Sequence, residues 1–202
     1  MRKEFFFLLF QVLLDPEFGM FTYDEQTRML WFNPFSTASA LDYLLVREFS
    51  AKQIINKIKK KKQVGALLGL AVYNDVLVDV NFPPVLYKKL LGMEAGLDDL
   101  QDWQPSIYNS LKAVKQYDGL DLADVFNLTF SIDMAGPNKE IITHDLKKNG
   151  ADQNVTIYNK SEFVDRYVKF ITTEQIEQQY APFAQGFRYV ISKRILNVSL
   201  SI

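Results

Sequence analysis

The sequence predicts an α+β fold, mainly helical, with a small antiparallel sheet and two subdomains. Three observations carry that expectation. Helix-type patterns dominate, above all in the long apolar run over residues 64–91, whereas strand-type patterning is confined to residues 20–32 and 126–146. Gly, Pro, Asn and Asp punctuate the chain between these segments, as turns require. A chain of 202 residues with 48% hydrophobic and 14% aromatic content is a globular composition, long enough for one substantial domain or two lobes sharing a core.

Composition also excludes function classes. A net charge of -1 provides no global field toward nucleic acid or acidic lipid. There is no cysteine, which removes disulfides, thiolate metal sites and any thiol nucleophile. The single histidine, His144, has no second ligand or paired base and reads as a surface or strand histidine. No metal and no cofactor is therefore expected.

Residues 2–14 read as a buried amphipathic helix stopped before Pro16. A secretory signal fits less well, because Glu4 sits in the charged region, Gln11 interrupts the apolar run and Asp15-Pro16 replaces a small-residue cleavage site. Met20 to Tyr23 and Met29 to Phe32 are short aromatic-rich runs around a polar Asp24 to Arg28, the pattern of a hairpin. Residues 35–63 form an atypical insert with partly helical spacing that ends in Lys57, Lys59, Lys60, Lys61 and Lys62. That cluster reads as a solvated insert, with a nuclear import signal or a phosphate-binding patch as the functional alternatives.

In the run from residue 64, Gly65, Ala66, Gly69 and Ala71 allow another element to approach closely. Leu67, Leu68, Leu70 and Val72 leave this helix almost no polar face, so it is expected in the middle of a domain. An Asn74-Asp75 break leads to an extended piece over residues 76–80, and Phe82-Pro83-Pro84 opens a second helix. Asn74, Asp75 and Asp79 argue against a membrane span here, so a soluble chain is expected.

Residues 96–104 form a polar connection anchored by Leu97, Leu100 and Trp103, and residues 106–117 have the apolar stripe of a helix. Beyond the Asp118-Gly119 turn, residues 126–133 alternate as a strand with one covered face. A turn at residues 135–138 returns residues 140–146 as its partner, and Asn149-Gly150 marks another turn. Asn159-Lys160-Ser161-Glu162 has the form of a capping box. The helix it opens is expected to break near Thr172-Thr173, and a second helix to run to about Ile191, bent by Pro182.

In order along the chain stand KEFF (residues 3–6), DPEFGMFTYDE (15–25), LWFNP (30–34), GLAVYN (69–74), LVDVNFP (77–83) and YKKLL (87–91). LKKNGA (146–151), NKSEFVDRYV (159–168) and FAQGFRYVI (183–191) follow. This ordered set resembles the N-terminal lobe of the HECT family of ubiquitin ligases. The resemblance covers nearly the whole of residues 1–191 apart from the insert, and leaves 192–202 as a divergent tail.

It implies a partial HECT N-lobe whose smaller subdomain, about residues 101–163, docks a ubiquitin-conjugating enzyme. By position, the docking groove would be Ile107, Ser110, Leu111, Val114 and Tyr117 from the helix, Phe126, Leu128 and Thr129 from the strand, and Phe163 from the following helix. From the residues alone, the same stripes also fit a small-subdomain core. The implied partners are the conjugating enzyme and, beyond it, ubiquitin and a protein substrate, with no membrane and no nucleic acid. Such a protein is expected in the cytoplasm, or in the nucleus if the lysine cluster serves import. The family's acceptor cysteine belongs to a separate C-terminal lobe, so this chain alone is expected to be inactive. A non-catalytic interaction protein derived from the same domain is the second reading.

Overall fold

Close packing around glycine and a hairpin closed by one aspartate shape the first part of the protein. The computed structural model describes residues 19–36, 63–74, 76–77 and 80–191, together with Glu4, Phe7, Leu8, Phe10 and Leu14. It divides into two units, Met1–Met93 with Ile176–Ile202, and Glu94–Gln175. Of the sequence expectations, the insert over 35–63 with its lysines, the turn after Leu14 and the tail at 192–202 lie wholly or largely outside the described residues, and of the extended piece at 76–80 only Val76, Leu77 and Val80 are described, none of them in a strand. Glu4, Phe7, Leu8 and Phe10 are helical, as expected for the amino-terminal segment.

In the first unit, β1 (Phe21–Tyr23) and β2 (Leu30–Phe32) pair antiparallel, with Phe21 opposite Phe32 and Tyr23 opposite Leu30. The Asp24 carboxylate accepts bonds from the N–H groups of Gln26 and Thr27, at 2.9 and 2.8 Å, and from the Thr27 hydroxyl at 3.0 Å. The Thr27 amide is the main reason the Asp24 carboxyl is held below its usual range. A turn closed on its own side chain is what aspartate provides at this position.

Helix α1 (Gln63–Tyr73) packs on α6 (Glu177–Val190) through its glycines. A Cβ placed on Gly65 would lie 1.9 Å from the Phe183 carbonyl oxygen, and one on Gly69 would lie 3.1 Å from that of Phe187. The close approach expected from the small residues is present. One expectation is corrected: Leu70, Val72 and Tyr73 are exposed, so the helix is not covered all round, and its burial is carried by Val64, Leu67, Leu68 and Ala71. Pro84 opens α2 (Pro84–Leu90), after Pro83 in extended conformation. The Gly92 N–H bonds to Lys89 O at 2.9 Å and the Met93 N–H to Lys88 O at 3.1 Å, with Gly92 at φ 79°. This is a Schellman stop, which needs a left-handed residue at that place. Phe183 of α6 meets Phe32 and Phe82 edge-on, at 5.2 and 6.2 Å between ring centroids.

The second unit begins with a 3-10 turn, Leu97–Leu100, and α3 (Pro105–Gln116), with Leu100, Trp103, Tyr108, Leu111 and Val114 buried. Helix α4 (Leu122–Phe126) ends at Asn127, whose φ of 47° is left-handed. Strands β3 (Ser131–Ala135) and β4 (Ile141–Asp145) pair antiparallel with Ser131 opposite Asp145. A 3-10 turn, Gly150–Asp152, and α5 (Lys160–Thr172) complete the unit.

Two sequence expectations are corrected here. The strand expected from Phe126 starts at Ser131, because residues 122–126 close a helical turn and Asn127 reverses the backbone. Phe130 and Ile132, from the same alternation, are buried as expected. The capping box at Asn159 does not form. The Asn159 side chain instead accepts from the Thr156 N–H at 2.7 Å and donates to Asn154 O at 3.1 Å, closing the preceding turn. Glu162 turns away to Arg166 and Lys147, at 2.7 and 3.2 Å. The α5 helix does stop at Thr172, and Pro182 lies inside α6.

Candidate functional site

The nine residues expected to form a groove all lie in the second unit, where they separate into a buried layer and an accessible edge. Pro105 starts α3 at a position where its missing N–H costs nothing, and the helix then repeats its apolar residues every three to four places. Ile107, Leu111 and Val114 therefore share one face. Leu111 and Val114 are buried, at 3% and 2% exposure, and Ile107 is half-buried. Ser110 is exposed, and its hydroxyl donates to Ser106 O at 3.0 Å, one helical turn back.

Phe163 is also buried, at 2% exposure. Its ring meets Phe130 edge-on at 5.6 Å and Tyr167 at 5.9 Å. Burial pushes the Tyr167 phenol up from its ordinary value. Phe130 in turn lies beneath the Lys147 ammonium, 3.5 Å from the ring centroid. Phe163 thus belongs to the core of this unit.

The accessible edge is the Tyr117–Phe126 pair, and Ile107 and Leu128 are likewise half-buried. Tyr117 and Phe126 meet edge-to-face, with centroids 5.3 Å apart and planes at 80°. The Tyr117 phenol donates to Asp121 at 2.8 Å, which raises its pKa. Phe126 joins this edge from the end of α4 and not from a strand. Leu128 has its backbone fixed by a 2.8 Å bond from the Val155 N–H, and Thr129 forms an isolated bridge with Asn154. The Thr129 hydroxyl is shared with that of Ser131 at 2.8 Å, so its first partner lies on its own strand segment. The structure therefore brings Tyr117 and Phe126 into direct contact, sets Leu111, Val114 and Phe163 in the core, and leaves Ser110 exposed on α3.

Lys160 was not among the residues expected from sequence, yet it ties this region together. Its ammonium donates to Tyr117 O at 2.6 Å and pairs with Asp118 at 3.4 Å. The available signal was a lysine in the first turn of a helix, where the macrodipole disfavours a cation.

Among the described residues there is no cluster of three or more His, Cys, Asp or Glu that could hold a metal ion. An accessible apolar pair such as Tyr117 and Phe126 can hold an apolar anchor by burial.

A family model, the HECT-domain (ubiquitin-transferase), matches residues 7–199. The chain belongs to the HECT-domain family. A chain without cysteine fits the N-terminal lobe that its motifs resemble. Its relatives include "Probable E3 ubiquitin-protein ligase HERC4" of Mus musculus, 34% identical over 96% of this chain and 17% of the relative. "Probable E3 ubiquitin-protein ligase HERC3" of Homo sapiens is 34% identical over 97% of this chain and 17% of its own length. "Probable E3 ubiquitin-protein ligase HECTD2" of Mus musculus is 30% identical over 97% of this chain and 24% of its length. This HECT chain thus spans about a fifth of the relatives it matches. No helix among its described residues is long and apolar enough to cross a membrane.

Proposed function

We propose that this HECT chain acts in protein ubiquitination by supplying the surface on which a ubiquitin-conjugating enzyme docks. The observation that supports this reading is the half-exposed Tyr117–Phe126 pair in the second unit, with Ile107 and Leu128 also half-exposed. An apolar side chain of the conjugating enzyme would bury itself against Tyr117 and Phe126, with Ser110 and Thr129 as polar neighbours. A small, transient interface suits a carrier that must leave after discharge. No thioester can form on these 202 residues, since they include no cysteine. Transfer would use a thiol outside them, and ubiquitin and a protein substrate would meet the ligase there.

Burial decides how the proposal is tested. Leu111→Ala and Phe163→Ala would weaken docking, but both also empty core positions and disturb the fold. Phe126→Ala and Ile107→Ala act at half-exposed positions. Binding to a panel of ubiquitin-conjugating enzymes is expected for the wild type, with a loss of roughly tenfold or more in each folded variant. A folded wild type that binds none of the panel would refute the proposal.

A further inference from the structure

Lys160 stands where a lysine is electrostatically misplaced. It is the first residue of α5, where unpaired N–H groups and the helix macrodipole favour anions. Its side chain is nevertheless only 14% exposed. Such a placement calls for compensation.

The compensation comes from α3. Tyr117 is the residue at the C-terminal cap of that helix, and its carbonyl oxygen accepts from Lys160 Nζ at 2.6 Å. A cation at a helix C-terminus is favourable, and a charge-assisted bond of this length is among the stronger hydrogen bonds. The second contact, to Asp118 at 3.4 Å, is of a lesser kind, because that carboxylate is 93% exposed and water screens it. Lys160 is therefore explained by the end of α3 and not by the start of α5.

What it holds is the backbone beneath the accessible edge. The Tyr117 ring rests edge-on against Phe126, and its phenol is tied to Asp121. On α5, three residues after Lys160, Phe163 is locked into the core against Phe130. The lysine thus connects a rigid helix start to the carbonyl of the aromatic residue that forms the edge.

We infer that Lys160 is a positioning residue of the proposed docking surface, tying the end of α3 to the first turn of α5 so that the Tyr117–Phe126 pair is held in place for the incoming partner. The inference rests on the docking reading for its role, while the clamp itself does not depend on it. Lys160 acts through Tyr117 and makes no contact with the conjugating enzyme.

The test compares Lys160→Met, Lys160→Arg and Asp118→Asn in the full chain. Hydrogen–deuterium exchange over residues 117–126 reads the clamp, and affinity for a conjugating enzyme that binds the wild type reads the role. Lys160→Met is expected to speed exchange over 117–126 and to weaken binding roughly tenfold. Lys160→Arg, which keeps the charge and the donors, restores both, and Asp118→Asn leaves both near wild type. Unchanged exchange in Lys160→Met overturns the clamp, and faster exchange with unchanged affinity overturns its part in docking. A wild type that binds no conjugating enzyme defeats the docking reading and with it the role, while exchange still decides the clamp. Should Lys160→Met fail to fold by circular dichroism, Lys160→Gln takes its place. Loss of fold in both overturns the proposal, since the fold does not depend on a residue that only positions a surface.

Discussion

Replacing Gly65 by alanine sets two known effects against each other. Alanine in a helix interior is favoured over glycine by about 1 kcal/mol, so on propensity alone Gly65→Ala would stabilise α1. The added Cβ, however, would lie 1.9 Å from the Phe183 carbonyl oxygen, about 1.5 Å short of the 3.4 Å at which ordinary contact begins. The obstruction is backbone, with Phe183 C at 2.7 Å and Phe187 N at 3.0 Å behind it, so no side chain can rotate out of the way. Overpacking costs typically about 1–3 kcal/mol, and a backbone clash of this depth belongs at or above the upper end. The net expectation is a loss of about 2 kcal/mol. Gly69→Ala is the internal control, since its Cβ would meet Phe187 O and Val190 Cβ at 3.1 Å, and a shift of a few tenths of an ångström relieves it. There the two effects nearly cancel, to within about 1 kcal/mol. Urea unfolding followed by the fluorescence of Trp31, in a Trp103→Phe background, reports the unit that contains this seam. A Gly65→Ala midpoint equal to or above that of the parent would refute the argument, because propensity would then outweigh the clash.

The Tyr180 hydroxyl is buried with no hydrogen-bond partner among the described residues, while its ring lies 4.7 Å from the Lys89 ammonium. Tyr180→Phe keeps the ring and removes the orphan group, so a stability gain of about 1 kcal/mol is expected, and a lowered urea midpoint would count against it. The Glu162 carboxyl is held below the ordinary glutamate value, first by the hydrogen bond from Arg166 and then by that from Lys147. Because the folded value is lowered, its stabilising share is complete above the ordinary glutamate range and is lost as the pH falls through the lowered value. Its side chain is 43% exposed, so solvent screening limits that share to about 0.5 kcal/mol. Glu162→Gln should therefore lower stability slightly at neutral pH and flatten the acid limb of a stability–pH profile, and an unchanged slope there would contradict the pairing.

Local chemistry was legible in the sequence wherever a residue type has one dominant use. Asp24 in a five-residue polar gap, two glycines four apart in an apolar helix, and a double proline ahead of a helix all do in the structure what their chemistry suggests. Alternation over residues 126–133 identified the inward Phe130 and Ile132 but misplaced the strand's start. A period of two cannot register a left-handed residue such as Asn127, nor the single helical turn before it. Asn159 failed as a cap because a nearer donor, the Thr156 amide, competes for the same oxygen. The candidate site was legible as a set of apolar residues, but not in its depth. Whether Leu111 or Ile107 is the accessible one depends on what packs over the helix stripe, and stripe spacing alone treats them alike.

The way the chain is threaded fixes an order of assembly. The second unit is continuous from Glu94 to Gln175, whereas the first is completed only by residues from Ile176 onward. On a ribosome, every residue of the second unit is therefore available before α6 exists. Through that interval Gly65 and Gly69 of α1 lack the Phe183 and Phe187 backbone they pack against, which arrives more than a hundred residues later. Bringing such distant segments together carries a closure entropy that rises only slowly with length, and a folded intervening unit would shorten the loop that must be closed. Early formation of the inserted unit would thus help the outer one to fold, and Phe32 and α1 are among the parts a nascent-chain chaperone would meet before α6 arrives.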